Sequence, residues 1–191
     1  MKEAKNILLV GVGGQGTILV SKILSTGLME AGYDVKMSEI HGMAQRGGSV
    51  STQVRYGSEV FSPIIGIGEA DILVSFEEME TLRWLEFLKP DGVVLINDFK
   101  IASAPILMGK INYPDGIIEL IEGKAKTKII KAEEIAEKLG NTKVMNVVLL
   151  GALIKSMNLN DIDWEAVIKT QVKEKFIELN IKAFNEGMDA V

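Results

Sequence analysis

The 191-residue chain contains no cysteine and a single histidine, His41. Without thiolates it cannot supply a cysteine-ligated iron–sulfur cluster, a disulfide or a cysteine nucleophile. One imidazole and no thiol also exclude the usual Cys/His zinc sites, and no metal site is expected. A Ser-His-Asp arrangement would have to run through His41, and the chain has no G-x-S-x-G elbow. Positive charge is scarce as well. Only Arg46, Arg55 and Arg83 are arginine, the formal net charge is -5 and there is no basic block, all of which argues against nucleic acid. No apolar run is long enough to span a bilayer, and "MKEAKNILLV" reaches its first glycine too soon for a secretory leader. The expected compartment is the cytoplasm. Much difficult chemistry is closed to this chain unless a cofactor or another subunit brings it.

What is present is an ordinary globular composition, 47% hydrophobic and 25% charged, with no repeat or linker that divides it. A single domain over residues 1–191 is expected. The opening reads as strand (6–10), glycine turn, helix (15–30) and second strand (34–40). Ile18, Leu19, Ile23, Leu24 and Leu28 recur at helical spacing, and Gly32 suits a left-handed cap. This βαβ start favours a Rossmann-like open α/β sheet, mostly parallel.

After strand two the pattern departs from dinucleotide-binding order. "HGMAQRGG" is a polar, glycine-rich loop, and "SVSTQVRYGSEVFSP" alternates Val50, Thr52 and Val54 with Ser51, Gln53 and Arg55. With a turn at Tyr56-Gly57-Ser58 and the short run "EVFS", it reads as an inserted β-hairpin. The rhythm then resumes with a strand at 70–76, a helix at 77–88, a turn at Pro90-Asp91-Gly92 and the strand "VVLIND". Residues 99–121 are irregular, with room for one short strand. A strand follows at "AKTKIIKA", then helices at "EEIAEKLG" and "VMNVVLLGALIKSM", and a helical C-terminus over 164–188 that Asp161 or Asp163 can cap.

Two stretches carry the candidate chemistry. Gly11, Gly13 and Gly16 satisfy G-x-G-x-x-G, and with Gly14 and Gln15 they place the first amides of a helix where an anion can approach. The alternative is that these glycines only permit tight strand–helix packing. Glu39 lies 23 positions after Gly16, where a dinucleotide site places its ribose-binding acid. With the glycine turn it is the only support for a free-standing NAD(P)-dependent oxidoreductase, which the poorly matched second half weakens. The loop after it gathers His41, Gln45, Arg46, Gly47, Gly48 and Ser49 just past a strand's carboxyl end, where open α/β sheets bind ligands. Arg46 offers a planar fork to phosphate or carboxylate, and the glycines beside it expose amides. His41 titrates near neutrality, so a proton-transfer role is open to it. The bland alternative pairs Arg46 with Glu39 on a solvated surface loop. Of the rest, Glu77, Glu78 and Glu80 suit the positive end of a helix, and Asn146 inside an apolar run needs partners.

"LLVGVGGQGTILVSKIL", "SEIHGMAQRGGSVSTQVRYG", "ADILVSFEEMETLRWL" and "NTKVMNVVLLGAL", in this order, resemble the gamma-type subunit or domain of the 2-oxoacid:ferredoxin oxidoreductases. Within that family they resemble the beta subunit of the indolepyruvate type. The resemblance spans nearly the whole chain, although residues 99–131 carry little of it. It implies a complex that decarboxylates an aryl pyruvate on thiamine diphosphate, passes electrons through [4Fe–4S] clusters to ferredoxin and delivers the acyl group to coenzyme A. It implies also that a large alpha subunit holds the thiamine diphosphate and clusters, with this chain as the cluster-free companion. Gly11 to Gly16 and His41 to Ser49 would then face the partner's active site or the coenzyme A path, with no catalytic residue assigned here.

Overall fold

A computed structural model of the chain describes residues 4–40 and 47–191. Six strands form one sheet in the order β2-β3-β1-β4-β5-β6. They are β1 (Lys5–Val12), β2 (Asp34–Ile40), β3 (Ser49–Gly57), β4 (Ala70–Ser75), β5 (Leu88–Asn97) and β6 (Lys126–Ile130). β1, β4, β5 and β6 pair in parallel, and β3 runs antiparallel to both β1 and β2. Five strands therefore share one direction and the sixth is wedged among them. The open, mostly parallel α/β sheet anticipated from the sequence is present, with a helical C-terminus.

Alternation along the strands explains the layers. In β1, Ile7 and Leu9 face one side, where α1 (Thr17–Glu30), α5 (Ala132–Lys138), α6 (Met145–Ser156), α7 (Trp164–Gln171) and α8 (Ile177–Asp189) build the larger core. Leu8 and Val10 face the other side, under Ile65, Leu73 and the partly buried Trp84. Further along that side, α2 (Glu78–Trp84) and α4 (Ile117–Glu122) cover Val94 and Ile96 of β5. α6 is buried along nearly its whole length, which is why its sequence is apolar all round rather than striped. It crosses α8 backbone to backbone. A Cβ on Gly151 would collide with the Phe184 carbonyl, and one on Gly187 with that of Val148. Asp163 caps α7 by accepting from the Ala166 amide at 3.0 Å, as expected.

Local departures have physical causes. The hairpin anticipated after strand two, "SVSTQVRY" with "EVFS", does not form: β3 pairs with β2 and β1, and "EVFS" is not a strand. Both edges of β3 are already used by β1 and β2, so no edge remains for residues 59–62. That segment instead crosses the sheet, where Arg55 donates to the Ser62 and Ile64 carbonyls and Gln53 Oε1 accepts from the Ile65 amide. The polar face of β3 is thus buried under a strap. α2 stops at Trp84, a 3-10 turn spans Leu85–Phe87, and Pro90-Asp91-Gly92 lies inside β5, where the register with β4 shifts. Within 99–121 two short helices, α3 (Ala104–Leu107) and α4, stand in place of the short strand. No helix among the described residues is long and apolar enough to cross a membrane.

Candidate functional site at the carboxyl edge of the sheet

The glycine turn and the Arg-Gly-Gly loop, separate in sequence, meet. The Gly13 amide donates to the Gly48 carbonyl at 2.8 Å, and the Gly47 amide donates to the Gly13 carbonyl at 3.3 Å. Strand β3 makes this possible, because its register sets Ser49 opposite Val12 and Val50 opposite Gly11. Gly13, Gly47, Gly48 and Ser49 therefore form one surface. His41, Gln45 and Arg46 lie outside the described residues.

Each glycine has its own reason. A Cβ on Gly11 would meet Gln15 Oε1 at 2.8 Å and Phe76 Cβ at 3.0 Å. Gly16 caps α1 with φ +80, and a Cβ there would strike the Asn146 amide nitrogen. At these two positions the packing explanation suffices. Gly14, with φ +105, has nothing within 4 Å of its missing Cβ and opens outward. Gln15 is a brace: Oε1 accepts from the Val12 amide and Nε2 donates to the Phe76 carbonyl, both at 2.7 Å, tying the ends of β1 and β4 together. Asn146 Nδ2 donates to the Gly16 carbonyl at 3.1 Å, so the amide in the apolar run locks the start of α6 to the start of α1.

Between these helix starts lies a cavity of about 390 Å3, lined by Gly14, Gln15, Gly16, Thr142 and Lys143 among others. The positive poles of α1 and α6, each worth about half an elementary charge, point into it beside the Lys143 ammonium. Glu133 also lines it. Burial, and then the charge of Glu137, push the Glu133 carboxyl up. Thr142 and Lys143 were not singled out from sequence. The available signal was Asn141, whose side chain accepts from the Lys143 amide at 3.0 Å and caps the 3-10 turn before α6.

Glu39 does not occupy a ribose position. Ser21 of α1 donates to Glu39 Oε1 at 2.7 Å, and β3 separates β2 from β1. The acid is therefore two strand spacings, about 10 Å, from the strand that ends in the glycine turn. In dinucleotide order these strands are neighbours. The free-standing NAD(P) reading thus loses Glu39, one of its two supports.

Three buried glutamates close the far side. Ser49 Oγ donates to Glu80 Oε2, anchoring the loop end to α2. Glu77 accepts from the Glu80 amide at 2.9 Å, from the Ile101 amide at 3.1 Å and from the Tyr113 hydroxyl, so it pins 99–113 across the sheet edge. Burial pushes the Tyr113 hydroxyl up, and its hydrogen bond to Glu77 adds to this. Burial also pushes up the Glu78 and Glu80 carboxyls, against the opposing pull of Lys100 and of Ser49. Among the described residues no group of three or more His, Cys, Asp or Glu is placed to hold a metal ion.

Comparison with known proteins identifies the family. Residues 6–190 match the family model "Pyruvate ferredoxin/flavodoxin oxidoreductase". Indolepyruvate oxidoreductase subunit IorB of Pyrococcus horikoshii is 38% identical, covering 100% of this chain and 96% of that protein. Its counterpart in Archaeoglobus fulgidus is 41% identical over 95% of this chain and 92% of its own. In fold, the gamma subunit of a keto/oxoacid ferredoxin oxidoreductase from Geobacter sulfurreducens superposes with a TM-score of 0.75 at 23% identity, covering 98% of this chain and 96% of that one. With the glycine turn, the reversed β3 and this full-length similarity together, the chain belongs to the pyruvate ferredoxin/flavodoxin oxidoreductase family.

Proposed function

We propose that this chain, as one domain of residues 1–191, is the small subunit of an indolepyruvate-type 2-oxoacid:ferredoxin oxidoreductase, with its glycine-turn edge facing the large subunit. The observation that carries the reading is the backbone pairing of Gly13 with Gly47 and Gly48, which makes one surface of the two glycine-rich stretches. The names of the full-length relatives supply the reaction class.

The division of labour follows from chemistry. A chain without cysteine ligates no standard cluster, so electron transfer to ferredoxin belongs to the partner. When bound, thiamine diphosphate on the partner supplies the carbanion chemistry of decarboxylation and coenzyme A accepts the acyl group. Both molecules carry a pyrophosphate, and the edge described here fits one: the open backbone at Gly14, two helix N-termini and Lys143. Arg46 adds a second cation by its sequence position. These residues bind and orient an anion, and none of them is assigned a proton transfer.

Expression with a large, cysteine-rich partner tests the reading. A stable, brown, heteromeric complex that oxidises an aryl pyruvate is expected. Within it, Lys143→Ala and Arg46→Ala each raise the KM for coenzyme A by about threefold to tenfold with little change in kcat. Failure to associate with any such partner, or NADH binding by the isolated chain, overturns the assignment. Unchanged KM in both variants with intact assembly removes these residues from the anion surface while leaving the subunit role.

A further inference from the structure

The two outer strands of the sheet are built differently. β6 ends it on one side and β2 on the other. An open outer strand presents unpaired amides and carbonyls to any strand of another chain, and folded proteins usually blunt it with lysine, proline or a bulge. β6 has such protection, because Lys126 and Lys128 stand exposed along its five residues. β2 does not. Its seven residues contain no proline, and its register with β3 runs from Asp34 to Ile40 without a shift. Its one lysine, Lys36, is tied to Asp34. Among the described residues no strand pairs with its outer side.

Apolar side chains flank this open strand on both faces. Residues opposite one another in an antiparallel pair share a face. The register with β3 therefore places Lys36, Ser38 and Ile40 on the side of Ser51, Gln53 and Arg55, and Met37 on the other, where Ser25 of α1 donates to its sulfur. Met37 is still 39% exposed and Ile40 58%. On the Ile40 side the strap begins over β2, where the Val60 amide donates to Asp34 Oδ2 at 2.7 Å. The next apolar residues of the strap, Phe61 and Ile64, are 88% and 56% exposed, and no residue from Val60 to Gly68 is charged. An unprotected outer strand beside exposed apolar side chains is the signature of a protein contact.

The arrangement is complementary to itself. A two-fold axis perpendicular to the sheet keeps each face on its own side, so in an antiparallel self-pairing of β2 only residues of the same face stand opposite. An axis through Lys36 would set two lysines against each other. An axis through Met37 sets Met37 opposite its own copy, Lys36 opposite Ser38, Val35 opposite Glu39 and Ile40 opposite Asp34, with no like charges opposed. Because Asp34 holds the start of the strap, Ile40 of each copy then lies beside Phe61 of the other. Two exposed apolar residues cover each other.

We propose that this chain forms a two-fold dimer by antiparallel pairing of β2 with β2 of a second copy, in a register centred on Met37, so that one sheet runs through both copies. β2 and β1 share a direction, so the two glycine turns lie at opposite ends of the dimer and each stays open to a large subunit. The dimer does not depend on the function proposed above.

The absence of cysteine makes this pairing directly readable. Opposed residues of an antiparallel pair have Cα atoms about 4.5–5.5 Å apart, within the span of a disulfide. On mild oxidation Met37→Cys should give a covalent dimer in denaturing electrophoresis, whereas Lys128→Cys on β6 should stay monomeric. Sedimentation of the parent chain should show a reversible dimer at about 100 μM. Met37→Lys, which opposes two charges on the axis, and Phe61→Ser, which removes an apolar side chain already exposed in the monomer, should each weaken association about tenfold or more. Phe61→Ser should keep the parent's urea unfolding midpoint at dilutions where both are monomeric. A parent chain that stays monomeric at that concentration overturns the proposal. Cross-linking of Lys128→Cys as fast as Met37→Cys does so too, as does parent-like association in both Met37→Lys and Phe61→Ser. Loss of the Met37→Cys cross-link in the assembled complex would give the β2 strand to the large subunit and also overturn it.

Discussion

Helices α1 and α6 each begin at one edge of the sheet and end at the other, so the two edges share scaffolding but not polarity. The carboxyl edge has the helix starts, the open Gly14, Lys143 and three glutamates buried at the start of α2. The amino edge has the helix ends, two tyrosines and carboxylates that already hold ion pairs. The difference extends to acidity. Burial raises Glu78 and Glu80 at the carboxyl edge, whereas at the amino edge Asp34 is lowered by Lys36, and Asp71 is lowered by Lys89 and the Asn6 amide despite its burial. One edge hides its negative charge and the other displays it in pairs. The lesson is that electrostatic character is set by which end of a helix arrives at an edge, before any side chain is counted.

That contrast can be broken in graded steps. Gly16→Val should have the largest effect, because it adds a Cβ against Asn146 and forces a β-branched residue to φ +80. A stability loss of about 2–4 kcal/mol is expected in urea unfolding, together with loss of any anion affinity at the edge. Next is Glu77→Ala, which strands the Glu80 and Ile101 amides and the Tyr113 hydroxyl. A loss of about 2–3 kcal/mol is expected, and 99–113 should become susceptible to proteolysis.

At the amino edge Asp71→Asn should lose about 1–2 kcal/mol at pH 7, by weakening the contacts to Lys89 and the Asn6 amide. Its folded pKa lies below the unfolded value of 3.8, so the carboxylate's contribution is complete above 3.8 and disappears as pH falls through the folded value. The variant and parent should therefore converge in strongly acidic urea titrations. Glu80→Gln should have the smallest effect and the opposite sign. Glu80 has a folded pKa above the unfolded 4.5, so it favours folding at low pH, and that benefit is lost as pH rises through the folded value. The variant should match or slightly exceed the parent at pH 8 and show a flatter stability profile between pH 5 and 8. Identical pH slopes for both variants would remove the distinction between the edges.

Much of this was legible in the chain. The run "NILLV" ahead of a glycine turn announced β1, and "ADILVSF" announced β4, because strands buried on both faces must be apolar throughout. The alternation in "SVSTQVR" gave the correct facing of β3 but not its neighbours, nor the strap of chain that covers Gln53 and Arg55. Glu39 had the spacing of a ribose acid, and spacing along a chain carries no record of a strand inserted later between β2 and β1. Lys143 joins Gly14 and Gly16 only because α6 packs against α1, a contact between segments far apart in the chain.

The sequence by itself determined the class of fold, the exclusion of a cysteine-ligated cluster and the two glycine-rich stretches. Each depends on composition or on a period of two or 3.6 residues, which any local segment displays. Only the tertiary structure decided that β3 lies between β1 and β2, that Gly13 meets Gly47 and Gly48, and that Asn146 ties the start of α6 to the start of α1. Those outcomes depend on which distant surfaces bury one another, a choice made by the free energy of the whole packed core and written in no single stretch of the chain.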